Sequence, residues 1–314
     1  MKRNYGIPYK GSKNRIAEDI IDFLPSGKTL VDLFGGGGAI TDCASKSGKW
    51  ETVIYNEIDK IPHDCFLKAL RGEFDDETRW ISREDFFKLK DTDCYVACCF
   101  SFGNNLRTYM YSPDKEPLKK KCHEAIMNNP DYIKAREEMK FSSMQKARVK
   151  IQDEILGLKN SKQNNIEQIQ NVEALKRLQV MKRIENIERL ERLQVMKRIQ
   201  NIERLERLQV LKTDSVDNIL FYNYDYLNVP IPEGSIIYCD IPYRNTENYR
   251  KSKNFDYNTF YQWCVDKTNE GYEVYVSEYN IPDDRFVEVW RKEKRCGFNP
   301  TQNKKTIEKI YKVK

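Results

Sequence analysis

Long apolar runs are missing from this sequence of 314 residues. None exceeds strand length, and the opening Met1-Lys2-Arg3-Asn4-Tyr5-Gly6 has no apolar core, so neither a membrane span nor a secretory leader is expected. The expected setting is therefore intracellular and cytoplasmic, with no membrane partner. Histidine is nearly absent (His63 and His123), and no two cysteines form a Cys-x-x-Cys pair, which leaves a zinc site few ligands. The nine cysteines are expected to be reduced and mostly buried, and no metal is expected. Neither sign of charge dominates: 54 Lys and Arg face 48 Asp and Glu, an excess that permits a nucleic-acid partner without arguing for one. What is abundant is core material. A hydrophobic fraction of 39% with 19 Tyr and 14 Phe excludes a disordered polymer and suits one large domain or two modest ones.

Proline is absent between Pro130 and Pro230, where Gly157 is the only glycine, and helix formers dominate that stretch. Within it lies a 15-residue repeat: Arg177 to Glu191 and Arg192 to Glu206 differ only at Glu185 versus Gln200, and a third copy begins at Arg207. Apolar residues recur at every third position from Leu175 to Leu211. At about 100° per residue a three-residue step falls roughly 60° short of a turn, so the stripe winds round a helix instead of holding one face. A right-handed supercoil and a compact solenoid of short turns both answer this, and residue propensity favours the helical form. Asn171 to Lys212 holds eleven basic residues against six glutamates, which reads either as a solvated face on a length-tolerant spacer or as a DNA-contacting face.

The flanks alternate strand and helix. Thr29 to Phe34 reads as a buried strand, Gly35 to Gly38 as a turn, Ala39 to Lys46 as a helix and Glu51 to Glu57 as a second strand, a βαβ opening. Cys94 to Phe100 reads as another strand, followed after the insert by Ser235 to Asp240, Tyr272 to Tyr279, Arg285 to Trp290 and Ile307 to Val313. Strands near both ends imply one sheet interrupted by the middle segment.

Two motifs carry chemistry. Asp32-Leu33-Phe34-Gly35-Gly36-Gly37-Gly38 runs a strand into a glycine turn before a helix, at the crevice where doubly wound sheets bind nucleotides. The second strand ends in Asn56-Glu57-Ile58-Asp59, where Glu57, with Asp59 second, can accept both ribose hydroxyls of an adenosine cofactor. This pair suits NAD and S-adenosylmethionine equally. The second motif separates them: Asp240-Ile241-Pro242-Tyr243 ends an apolar strand in a carboxylate, an X-Pro bond and an aromatic. Hydride transfer has no use for that group. An exocyclic nucleobase amine does, because its lone pair is delocalised into the ring until both N–H bonds are held. Asp240 and the carbonyl of Ile241 can each accept one, while Tyr243 stacks on the base. Phe100 to Tyr109 could line a base pocket or be a plain surface loop, and Thr306 to Tyr311 reads as a final strand whose role is packing.

These motifs, with Pro8-Tyr9-Lys10-Gly11-Ser12-Lys13 near the N-terminus, resemble the Dam-like alpha group of DNA adenine-N6 methyltransferases. Their order agrees with that group: cofactor motifs, then a variable target-recognition insert, then the catalytic tetrapeptide. The resemblance covers roughly residues 1 to 110 and 214 to 314 and implies an α/β, Rossmann-like S-adenosylmethionine-dependent methyltransferase sheet. The expected division is 1–105 for cofactor binding, 106–213 for a mostly helical, repeat-containing insert, and 214–314 for the catalytic tetrapeptide. The activity implied is methyl transfer from S-adenosylmethionine to adenine N6 in duplex DNA, with the base flipped out. Such enzymes serve restriction-modification systems beside a partner nuclease, or act alone. The resemblance implies that Tyr9, Lys13, Asp32, Phe34, Gly35, Gly36, Gly37, Glu57 and Asp240 meet the cofactor. It places Lys13 and Tyr243 at the target base and gives catalysis to Asp240, Ile241, Pro242 and Tyr243. Ile241 stands where the family usually has proline; since the backbone carbonyl is the working group, activity is expected to survive. Two other classes compete with this reading, an NAD-dependent oxidoreductase and an inactive methyltransferase-like DNA-binding scaffold.

Overall fold

The computed structural model describes residues 4–138, 141–155, 199–212, 216–244, 255–295 and 305–314. Among these, seven strands form one sheet in the order β3-β2-β1-β4-β5-β7-β6. The parallel part is β1 (Gly27–Asp32), β2 (Trp50–Asn56), β3 (Ile219–Tyr222), β4 (Ile236–Asp240) and β5 (Glu273–Ser277). The antiparallel pair β6 (Phe286–Arg295) and β7 (Lys305–Val313) completes it, with β7 placed between β5 and β6.

Alternation along the strands sends side chains to opposite faces. Leu30, Val53, Ile236 and Tyr238 face α1 (Ala17–Phe23) and α2 (Ala39–Ser45) in one apolar cluster. Val31, Ile54, Ile237 and Val276 face a different helix, Tyr257–Asn269, in a second. A third cluster joins α3 (Lys60–Leu70), α4 (Arg83–Leu89) and α5 (Cys94–Phe100) to α6 (Glu116–Met127), α7 (Pro130–Glu137), α8 (Phe141–Ile155) and α9 (Gln200–Gln209). The eight described cysteines are all buried and unpaired. Among the described residues no helix is long and apolar enough to cross a membrane, and no group of His, Cys, Asp and Glu is placed to hold a metal ion.

The expected βαβ opening is present, with strand ends displaced by one or two residues. One expectation is overturned: Cys94–Phe100 is a helix, not a strand. Its N-terminus is capped by Asp93 Oδ1, which accepts from the N–H groups of Tyr95 and Val96 at 3.0 and 3.3 Å. All seven residues are buried, and a short helix apolar on every side leaves the same sequence trace as a buried strand.

The spacer reading also fails for the described part of the repeat. Ile199, Ile202, Leu205 and Leu208 are fully buried and Leu211 is nearly so, as are the polar Asn201, Glu206 and Gln209. A stripe that drifts around the helix is satisfied because α9 is enclosed on several sides. Arg204 and Arg207 turn inward too: Arg204 Nη1 donates to the carbonyl of Ser101 at 2.5 Å, and Arg207 donates to those of Gly6 and Tyr5 at 2.9 and 2.7 Å. These two basic residues therefore hold backbone instead of forming a solvated or DNA-contacting face. The remaining repeat residues lie outside the described ones.

Candidate active site

The strand order reverses direction between β1 and β4, and the crevice beyond the carboxyl ends of such strands is where α/β sheets bind ligands. A cavity of about 390 Å³ opens there. Its wall includes Tyr9, Lys13, Asp32, Phe34, Gly35, Gly36, Gly37, Glu57, Asp59, Asp240, Ile241 and Pro242, nearly all the residues singled out from sequence.

The glycine turn is fixed from both sides by the end of β2. Gly36 N–H donates to Glu57 Oε2 at 2.8 Å, and the Tyr55 hydroxyl donates to the Gly36 carbonyl at 2.7 Å. Glycine is required at two positions in particular. Gly36 has φ +50° and a Cβ there would sit 2.9 Å from the Tyr9 ring; Gly38 has φ +70° and a Cβ would sit 2.5 Å from the Phe66 ring. Asn56 ties three strand ends together, its Nδ2 donating to the Leu33 and Tyr224 carbonyls at 3.0 and 3.1 Å. Phe34 forms an aromatic wall with Tyr226, Phe255 and Phe260, ring centroids 5.5 to 5.7 Å away.

Acids are concentrated on the wall. Asp32 Oδ2 accepts from the Thr41 hydroxyl at 2.7 Å and the Thr41 N–H at 3.2 Å, while its Oδ1 is buried with no hydrogen-bond partner. Burial pushes the Asp32 carboxyl up to about 7, with the negative charge of Asp240 adding to the rise. Glu57 is likewise pushed up to about 7 by burial, against the pull of the Asp59 and Gly36 N–H groups. Asp59 accepts from Ile61 N–H at 3.2 Å and so caps α3.

At the end of β4, Asp240 Oδ1 lies 2.5 Å from Lys13 Nζ, a pair joining residues 227 positions apart. Behind it stands Glu308 of β7, 2% exposed, 3.9 Å from the same ammonium. Tyr243 donates its hydroxyl to Glu308 Oε2 at 2.6 Å, lies 2.8 Å from Ser277 Oγ, and holds its ring 4.7 Å from Lys13 Nζ. The rest of the turn is held as well: Tyr257 donates to the Pro242 carbonyl at 2.8 Å, and Arg244 N–H to Glu278 at 3.0 Å. Ile241 packs its side chain into the apolar cluster beneath, 2% exposed.

Sequence reasoning missed Glu308 and Asp225. Glu308 sits between Ile307 and Lys309 in a strand read as packing, and only the pairing of that strand with β5 turns it under Asp240. Asp225 follows the four-residue strand β3 and lines the cavity; its signal was a strand-end acid of the kind seen at Asp32 and Asp240. In the segment Phe100 to Tyr109, Phe100 ends α5 and the rest forms a loop closed by a Ser101 to Tyr109 bridge, with Phe102 59% exposed and the Asn104 carbonyl accepting from Lys10 N–H at 3.3 Å. It adjoins the Lys10 segment and does not form the cavity wall.

Comparison with family models matches residues 9–295 to the D12 class of N6 adenine-specific DNA methyltransferases. No curated protein matches the chain.

Proposed function

The chain belongs to the D12 class N6 adenine-specific DNA methyltransferases, and from that premise we propose that S-adenosylmethionine binds in the cavity between β1 and β4 and that Asp240 presents the adenine amine to it. The cavity fits the cofactor's chemistry. Asp32, Glu57, Asp59, Asp225 and Asp240 give the wall a negative character that suits a ligand bearing a sulfonium and an ammonium. The buried Asp32 Oδ1, lacking a hydrogen-bond partner, is an acceptor in want of a donor.

In this reading Tyr9 covers the glycine turn, Glu57 holds the ribose, and Lys10 and Lys13 stand at the cofactor's carboxylate end. Ile58, Tyr224 and Leu227, at 47%, 49% and 56% exposure, form an apolar rim near Asp225 that suits the purine. An oxidoreductase's pyrophosphate is disfavoured at the same place. Its negative charges would face the acids of the wall, and three N–H groups of the turn and α2 are already engaged, Gly36 by Glu57, Gly38 by the Gly35 carbonyl and Thr41 by Asp32.

Bound S-adenosylmethionine supplies an electrophilic methyl group. The residues of the chain do the rest. Asp240 and the Ile241 carbonyl accept the two N–H bonds of the adenine amine and return its lone pair to nitrogen. Asp240 then holds the proton that the methylated nitrogen sheds. Lys13 fixes the Asp240 carboxylate, and Tyr243, pinned through its hydroxyl, offers its ring to the extruded base. Alignment is the main source of rate, a class of effect worth about 7–11 kcal/mol at most. Extruding the base from a duplex takes a few kcal/mol, offset by stacking and by Lys and Arg contacts to phosphate that weaken with salt.

The carrying observation is the convergence of Lys13, Asp32, Glu57 and Asp240 on one cavity. The test is thermal melting with S-adenosylmethionine or NAD, joined to labelled-methyl transfer onto unmethylated DNA. S-adenosylmethionine should raise Tm and label adenine. A shift from NAD alone would reverse the assignment, and binding without transfer would support an inactive scaffold.

A further inference from the structure

We propose that the groove holding Ile199–Lys212 also accepts Ile184–Lys197, so that the chain docks this helix in either of two registers 15 residues apart. The groove reads its occupant through many side chains. Asn201 pairs with His123 Nδ1 at 2.7 Å and accepts from the Tyr111 hydroxyl at 2.7 Å. Glu206 accepts from Arg148 Nε at 3.0 Å and the Tyr132 hydroxyl at 3.2 Å. Arg204 and Arg207 hold carbonyls of Ser101, Gly6 and Tyr5, and Gln209 donates to the Phe74 carbonyl at 3.0 Å.

Moving back 15 positions in the sequence replaces each reader with its twin: Asn186, Arg189, Glu191, Arg192 and Gln194. The apolar contacts repeat as well, since Ile187, Leu190 and Leu193 stand for Ile202, Leu205 and Leu208. Two of the fourteen positions differ. Glu185 replaces Gln200, which is only half-buried, and Met196 replaces Leu211, a swap of nearly equal volume that cores tolerate.

The copy one step further back is excluded. Ile169–Lys182 places Ala174 where Arg204 caps Ser101, and Lys176 where Glu206 meets Arg148. The second change sets two cations together in a fully buried position, which is strongly unfavourable. The groove therefore admits two occupants from the three copies. A slip transfers 15 residues of sequence from the stretch that follows Ile155 to the stretch that precedes Ile219. Docking and reach are thus uncoupled: the core keeps its helix while the chain on either side lengthens or shortens.

Full-length variants test this by melting and by labelled-methyl transfer. Leu205→Asp places a charge in the occupied register, and the parental Tm and activity are expected, because Ile184–Lys197 takes the groove. Leu190→Asp should be silent, and the double variant should lose both. A Leu205→Asp variant as damaged as the double would overturn the proposal. Two deletions check the same point without a buried charge. Removing Arg192–Glu206 should preserve Tm, since it rebuilds the helix from Ile184–Glu191 and Arg207. Removing Arg177–Glu206 should abolish folding, since it docks Ala174 and Lys176. Equal tolerance of both deletions, as for a passive spacer, or equal failure of both, would each refute it.

Discussion

Replacing Asp240 with alanine separates the chemistry of the site from its scaffolding. The carboxylate does two things: it faces the cavity, and it neutralises Lys13, whose side chain is 4% exposed, at 2.5 Å. Loss of one preorganised, charge-bearing acceptor slows comparable reactions by about 10²–10³, or about 3–4 kcal/mol, and alignment of the amine is lost with it, so Asp240→Ala should slow transfer by at least about 10³. Removing one partner of a buried ion pair can destabilise by about 3–5 kcal/mol. Here Glu308 remains 3.9 Å from the ammonium, and Asp240 itself is 21% exposed, so water can enter the space. A loss of about 2 kcal/mol follows, lowering Tm by roughly 3 °C for a chain of this size. Adding Lys13→Met should recover part of that Tm and none of the rate. Single-turnover transfer of labelled methyl measures the first effect, melting the second, and equilibrium cofactor binding should change only a few-fold. Near-parental transfer in Asp240→Ala would end the catalytic assignment; failure of the double variant to recover stability would end the ion-pair account.

Two other outcomes follow from the same network. Glu57 and Asp32 ionise near 7, so affinity for the cationic cofactor should rise between about pH 6 and pH 8, and Glu57→Gln should flatten part of that rise in calorimetric titrations. Unliganded stability runs the other way: these acids hold their protons more tightly when folded, so the contribution is full below 3.8 for Asp32 and below 4.5 for Glu57 and is lost as pH climbs through about 7, a slope that Glu57→Gln should reduce in melts across that window. Glu308→Gln removes the carboxylate charge 3.9 Å from Lys13 and weakens the hold on Tyr243, so kcat should fall about 10-fold with cofactor affinity unchanged and a displaced pH–rate profile; an unaltered profile would reduce Glu308 to packing.

The part of the cavity wall around the glycine turn was legible because it is written contiguously. A glycine turn between a strand and a helix and an acid one strand later are local patterns, and each landed on the cavity wall. Asp240 was legible through its tetrapeptide. What sequence did not disclose is what distant segments do to one another. Glu308 looks like a strand residue among lysines until β7 pairs with β5. Cys94–Phe100 has no polar face to betray a helix. In Ile199–Lys212, arginines and glutamates that resemble solvent-facing charge are consumed by carbonyls and a buried guanidinium. A one-dimensional charge pattern cannot distinguish water from backbone as the partner.

The guanidinium of Arg207, lowered to about 10 by burial and reaching the carbonyls of Tyr5 and Gly6, bears on any attempt to transplant specificity between relatives. Those carbonyls belong to the stretch leading into Tyr9 and Lys13, so a chimera spliced upstream of Arg204 would keep the clasp, whereas one spliced at Lys212 would import a foreign hand to grip the mouth of the cavity. The natural seam for such an exchange therefore lies ahead of Gln200–Gln209.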